Sequence, residues 1–183
     1  VGSFHHPAQV VIDTRFSKTE ADRAVMSGLA EVVKVAAVRD RTFFELLERE
    51  ASALRARDDA ALAQAVDGAI RLKASVVSED PSERGARALL NFGHTFGHAL
   101  EAARYGTFAH GEAVAIGMVA AARVGAELGQ SSGEVADRLV AVLLLLGLPV
   151  EAPESLVEPA LGLVRHDKKR RADKVTLGVP NVL

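Results

Sequence analysis

Five polar residues recur at Arg87, Asn91, His94, His98 and Glu101 within an otherwise apolar stretch. The steps between them are 4, 3, 4 and 3, the spacing of one helix face. Leu89, Leu90, Phe92, Phe96 and Leu100 fill the other faces. In a globular core the 3-4 seam of a helix is normally apolar. Here it carries a guanidinium, an amide, two imidazoles and a carboxylate, with little of the helix left to face water. Gly93 and Gly97 stand beside the histidines, at a helix-propensity cost of about 1 kcal/mol each. That cost predicts that something large approaches the helix backbone. An exposed polar face with incidental histidines is the plainer account of a His-x-x-x-His pair, and the apolar flanks argue against it.

The rest of the chain reads as mainly α with marginal short strands. Val10 to Ile12 predicts a short buried strand ending at Asp13-Thr14. Thr19 with Asp22 resembles a capping arrangement for a helix from about Glu20 to Val38. A second helix spans Asp40 to Leu54, with Phe43, Leu46 and Leu47 on one face. Asp58-Asp59 favours a helix start, and that pattern continues to about Val77. Pro81 and Gly85 punctuate a loop before the helix from about Arg87 to Arg104. Gly106 and Gly111 frame a connection to an Ala-rich helix that ends near Gly129. Ser131-x-x-Glu134 reads as a capping box for a helix that stops at Gly147 and Pro149. Pro153 to Arg165 predicts a last helix, and Val175 to Val179 a terminal strand. There are no internal repeats.

Composition narrows the chemistry. The 183 residues fit one domain, at 49% hydrophobic, 25% charged and net charge −2. No cysteine is present, which removes thiolate metal sites, cysteine nucleophiles and disulfides. Aromatics are 4%, too few for base-stacking surfaces, so nucleic acid is not an expected partner. The apolar run from Val140 to Leu146 is too short to span a bilayer, and no secretion-signal pattern opens the chain. A cytoplasmic protein with no membrane partner is the expectation. The chain opens at Val1 rather than Met, and the expectation is that a preceding region exists.

With no thiolates, metal ligands must come from His, Asp and Glu. His110, in His110-Gly111-Glu112, adds a third imidazole to His94 and His98. Imidazoles with a carboxylate suit a divalent transition metal, zinc above all. The zinc-protease motif is excluded, because Thr95 stands where its general-base Glu would be. Glu31, in Gly28-Leu-Ala-Glu31-Val-Val-Lys34, is the best carboxylate. By spacing alone it is equally an i,i+3 surface pair with Lys34, worth a few tenths of a kcal/mol.

These segments, with His110-Gly-Glu-Ala-Val-Ala-Ile-Gly-Met118 and Asp167-Lys168-Lys169, resemble the 3-dehydroquinate synthase family in order and spacing. The resemblance covers essentially the whole chain, and the Asn91 to Glu101 motif is the most specific part. It implies the helical, metal-binding C-terminal domain of that fold across residues 1–183. The family's N-terminal α/β nucleotide-binding domain has no counterpart in these residues. The implied activity is NAD-assisted, metal-dependent conversion of 3-deoxy-D-arabino-heptulosonate 7-phosphate to 3-dehydroquinate and phosphate, in the shikimate pathway. The resemblance implies Glu31, His94 and His110 as ligands of zinc or cobalt. It assigns substrate contacts to Lys34, Lys73, Arg87, Asn91, His98 and Lys168, with Lys168 favoured over Lys169. His98 and Glu83 are the implied acid–base residues, although Glu83 also reads as an ordinary loop carboxylate beside Arg84. Family members are commonly homodimers, acting on a small sugar phosphate. The 183 residues alone are expected to bind metal and show little turnover, having no visible means to hold a nicotinamide.

Two positions depart from the family pattern. Val35-Ala36 stand where Tyr-Gly often follows the lysine, and His6 stands where Gln often precedes the proline. Related sugar-phosphate cyclases therefore remain an alternative, of the amino-dehydroquinate, 2-deoxy-scyllo-inosose or valiolone type. A polyol dehydrogenase of the glycerol dehydrogenase type and a non-catalytic metal-binding remnant are further alternatives. The first typically has Asp where Glu31 stands.

Overall fold

A computed structural model describes residues 7–81, 85–170 and 178–180. Seven α-helices account for most of them: α1 (Asp22–Arg39), α2 (Arg41–Arg55), α3 (Asp59–Glu79), α4 (His94–Ala103), α5 (His110–Glu127), α6 (Gly133–Leu145) and α7 (Glu154–Arg170). Two 3-10 turns, Thr14–Lys18 and Ala86–Asn91, precede α1 and α4. No strand occurs among the described residues.

α5 is the axis of the domain. Its residues from Gly111 to Ala122 are buried apart from Glu112 and Ala120, as expected of a helix that is apolar all round. α1, α4 and α6 pack directly on it. Phe44, Leu47 and Leu54 of α2, Val33 of α1 and Leu139 and Leu143 of α6 join Met118 and Val119 in one core. Burying each such side chain contributes about 1.5–3 kcal/mol. A smaller cluster of Leu100, Ile116, Leu156 and Ala160 seats α7 against α4 and α5.

Several helix ends follow the sequence signals. Asp40 caps α2 by accepting from the Phe43 amide at 2.9 Å. Asp58 caps α3, accepting from Ala60 and Ala61 at 3.1 and 3.0 Å. Gly129 and Gly147 follow α5 and α6 with φ of 67° and 75°.

Other expectations are corrected. Val10, Val11 and Ile12 form no strand and are 68%, 81% and 51% exposed, so the expected buried strand is absent there. Among the described residues no second strand supplies a ladder, and β-branched composition alone cannot bury a lone segment. Thr19 does not cap α1. Its hydroxyl donates to the Phe16 carbonyl at 3.2 Å, and Ala21 holds the N-cap position. The Ser131 capping box does not form, because the helix starts one residue later, after Ser132, with no side-chain cap. The predicted strand at Val175 to Val179 falls largely outside the described residues.

The largest correction concerns Arg87 to Arg104. It is not one helix. A 3-10 turn carries Arg87 and Asn91, Gly93 breaks the path with φ of 78°, and α4 begins at His94. The reason is α5. A Cβ on Gly93 would lie 2.7 Å from Met118 Cγ and 2.8 Å from the Val114 carbonyl oxygen. A Cβ on Gly97 would lie 3.1 Å from the Ala113 carbonyl oxygen. The large object approaching this backbone is therefore another helix of the same domain.

Candidate metal centre

Three helices deliver the polar cluster. Glu31 and Lys34 lie one turn apart on α1, His94, His98 and Glu101 share a face of α4, and His110 is the first residue of α5. His110 is placed by a tight junction. The Gly111 amide donates to Ser27 Oγ at 2.8 Å, and a Cβ on Gly111 would fall 1.9 Å from the Ser27 carbonyl oxygen. The Arg23 guanidinium holds Glu112 at 2.6 Å and donates to the Thr107 carbonyl at 2.8 Å, tying the approach to α5 back onto α1. Glu112 in turn accepts from the Ala109 amide at 2.8 Å.

At the centre, Glu31 Oε1 lies 3.6 Å from His94 Nε2 and 3.6 Å from His110 Nε2. Glu31 Oε2 accepts from Lys34 Nζ at 2.6 Å. Oε1 itself is buried and has no hydrogen-bond partner. A buried carboxylate oxygen without a partner costs about 1–3 kcal/mol or more. The cost is offset if a cation sits between that oxygen and the two imidazoles. One ligand atom from each of Glu31, His94 and His110 lies within 4.8 Å of the others. The donor set thus fits a divalent metal with positions left open, the arrangement of a catalytic rather than a closed structural site.

The electrostatics favour neutral imidazole. Burial lowers the His94 pKa below the ordinary histidine value, and the Lys34 ammonium adds to the effect. His94 Nδ1 lies 3.2 Å from the Phe92 carbonyl, which assigns the proton to Nδ1 and leaves the Nε2 lone pair facing Glu31. Burial also lowers the Lys34 pKa, opposed by Glu31 and assisted by the nearby Lys73 ammonium. Two cations therefore sit beside the cluster, a field suited to an anionic ligand.

The expected residues are brought together unevenly. Glu31, Lys34, His94, His98 and His110 form one group, with the His98 ring centroid 5.0 Å from His94 and 5.9 Å from His110. Lys73 joins it through its charge on Lys34. Arg87 and Asn91 sit on the 3-10 turn rather than on α4, and the Arg87 guanidinium donates to the Pro81 carbonyl at 3.3 Å. Glu83 lies outside the described residues. Lys168 lies at the C-terminal end of α7, and its side chain is outside what is described. Sequence reasoning missed the supporting contacts of Ser27, Arg23 and Glu101. Only Glu101 carried a signal, as the last member of the polar seam.

A helical domain with a carboxylate–imidazole cluster where three helices meet is the class this geometry defines. Residues 28–170 match the family model described as 3-dehydroquinate synthase C-terminal, and the chain belongs to that family. A 3-dehydroquinate synthase of Geobacter sp. (strain M21) is 47% identical over 99% of the chain and 50% of that relative. One from Xanthomonas campestris pv. campestris (strain 8004) is 46% identical over 97% of the chain and 50% of the relative. The chain spans about half the length of the curated relatives it matches. A solved 2-epi-5-epi-valiolone synthase from Streptomyces hygroscopicus subsp. jinggangensis 5008, with NAD+ and Zn2+ bound, superposes with TM-score 0.82 at 28% identity. That match covers 100% of this chain and 52% of the solved one. A 2-deoxy-scyllo-inosose synthase complexed with carbaglucose-6-phosphate, NAD+ and Co2+ matches at TM-score 0.75 and 26% identity, covering 93% and 50%. No helix among the described residues is long and apolar enough to cross a membrane.

Proposed function

We propose that this chain is the metal and substrate domain of a 3-dehydroquinate synthase. In that reading it serves NAD-assisted, metal-dependent conversion of 3-deoxy-D-arabino-heptulosonate 7-phosphate to 3-dehydroquinate and phosphate. The observation that carries the metal assignment is the unpartnered, buried Glu31 Oε1 facing two imidazole nitrogens. The choice of substrate rests on the 46–47% identity to curated 3-dehydroquinate synthases.

Glu31, His94 and His110 hold zinc or cobalt in this reading. When bound, the ion supplies a Lewis acid that polarises a substrate hydroxyl and the carbonyl derived from it. The chain's own residues do the rest by position and charge. Lys34, held by Glu31, presents a buried ammonium to an anionic substrate. Lys73 reinforces that field. Arg87 grips a carboxylate or phosphate with its planar fork, and Asn91 and Lys168 complete the substrate contacts. His98, exposed and one turn from His94, takes or gives a proton at its ring nitrogen. Glu83 is the second acid–base group. The nicotinamide is held mainly outside these residues, in the half of the relatives that the chain does not span. The cytoplasmic setting and the homodimer belong to the same proposal.

The test uses the full-length protein carrying this domain, with substrate, NAD+ and Zn2+ or Co2+. Expected is 3-dehydroquinate and phosphate in equal amounts, with no net NADH. The 183 residues alone are expected to show little turnover. An inositol- or valiolone-type carbocycle from its own sugar phosphate would support the related cyclases, which the solved neighbours represent. NADH accumulating with turnover would support a polyol dehydrogenase.

A further inference from the structure

Glu101 has no role in the reading above, although it closes the polar seam on α4. Its two carboxylate oxygens each lie 3.3 Å from His110 Nδ1. On the other side of the same ring, Nε2 faces Glu31 Oε1 at 3.6 Å. The His110 side chain is 47% exposed, so packing alone does not fix the ring. A neutral imidazole carries one N–H and one lone pair. A carboxylate at Nδ1 takes the N–H and leaves the lone pair on Nε2, where Glu31 waits. His94 is treated in the same way, with the Phe92 carbonyl at its Nδ1.

We propose that Glu101 is a positioning residue for the metal site, holding His110 in the Nδ1–H tautomer with Nε2 directed at Glu31. This rests on the metal reading above. Glu101 also stands with His98 and His110 in a second group spaced to hold an ion. That group shares His110 with the first, and its His110–Glu101 distance is that of a hydrogen bond. A single ion per chain is the consequence.

The experiment has two arms on the 183-residue chain. Nitrogen-15 NMR of the metal-free wild type, at a pH where the ring carries a single proton, reads which His110 nitrogen holds it. Cobalt titration against a competing chelator then compares wild type with Glu101→Ala and Glu101→Gln, thermal melting confirming the fold of each. Expected are a proton on Nδ1, one cobalt per chain, and a loss of affinity of about 10–100-fold in Glu101→Ala. Glu101→Gln, which keeps an acceptor, loses less. A proton on Nε2 in the wild type overturns the proposal even if Glu101→Ala fails to fold. Unchanged affinity and tautomer in a folded Glu101→Ala overturn it too, as does a second cobalt that only this variant loses. A wild type that takes up no cobalt would instead overturn the metal reading, and the tautomer would still decide the role of Glu101.

Discussion

Replacing Gly117 with alanine lowers the melting temperature sharply. A Cβ at this position would lie 2.0 Å from the Gly93 carbonyl oxygen and 2.8 Å from the Gly97 amide nitrogen. Both are backbone atoms, so no side chain can swing away. α4 must move off α5, and the contact it would break lies at the start of the helix that bears His94. Overpacking of this kind costs about 3 kcal/mol or more. For a chain of this size that is about 6–12 °C. Gly28→Ala is the control, since nothing lies within 4 Å of the Cβ it would add. Calorimetric or circular-dichroism melts of the two variants check the account. A Gly117→Ala melt within about 2 °C of the wild type would show that the helices do not touch through their backbones.

Replacing His94 with alanine removes the divalent metal. In the proposed ligand set one of three protein ligands is lost, and Glu31 and His110 alone cannot supply the remaining geometry. The expected loss of cobalt or zinc affinity exceeds about 100-fold, more than the change of a supporting residue produces. The fold survives, because His94 packs at the edge of the site and Phe92 still anchors the turn in the core. The variant also changes the acid stability of the metal-free chain. The His94 pKa is lowered in the folded state, chiefly by burial. The unfolded chain therefore binds more protons between that lowered value and about 6.5. Wild-type stability falls as pH drops through this window and levels below it. His94→Ala loses that component and titrates more shallowly. Metal content by elemental analysis and melts across the pH range check both parts. Equal metal in variant and wild type would remove His94 from the ligand set.

Much of this organisation was legible in the residues. Asp58-Asp59 announced a helix start because negative charge is favoured at the positive end of a helix, and Asp58 takes the capping position there. Gly129 and Gly147 announced two ends because glycine takes positive φ freely. With no thiolates in the chain, imidazole and carboxylate are the available metal donors. At Glu31 one oxygen accepts from Lys34, in a pair whose lysine is buried rather than at the surface, and the other faces the two histidines that the proposal makes its fellow ligands.

What was not legible depended on contacts distant in sequence. The 4-3-4-3 seam matched a continuous helix, and nothing local distinguishes that from a 3-10 turn broken at Gly93. The distinction is made by Met118 and Val114, more than 20 residues on, pressing against the glycine. The glycines make room beside the helix, and α5 fills it. Val10 to Ile12 failed for the complementary reason: strand-like residues form a strand only beside another strand. Ser131 carried the right capping residues, but the helix began one position later.

In the proposed site Glu31, His94 and His110 hold one divalent ion while His98 stays free for substrate. X-ray absorption on the cobalt-loaded chain reads this ligand set, because imidazole rings give a countable scattering signature. Expected are two imidazoles and one carboxylate on the cobalt, unchanged in His98→Ala. Three imidazoles in the wild type, falling to two in His98→Ala, would contradict it.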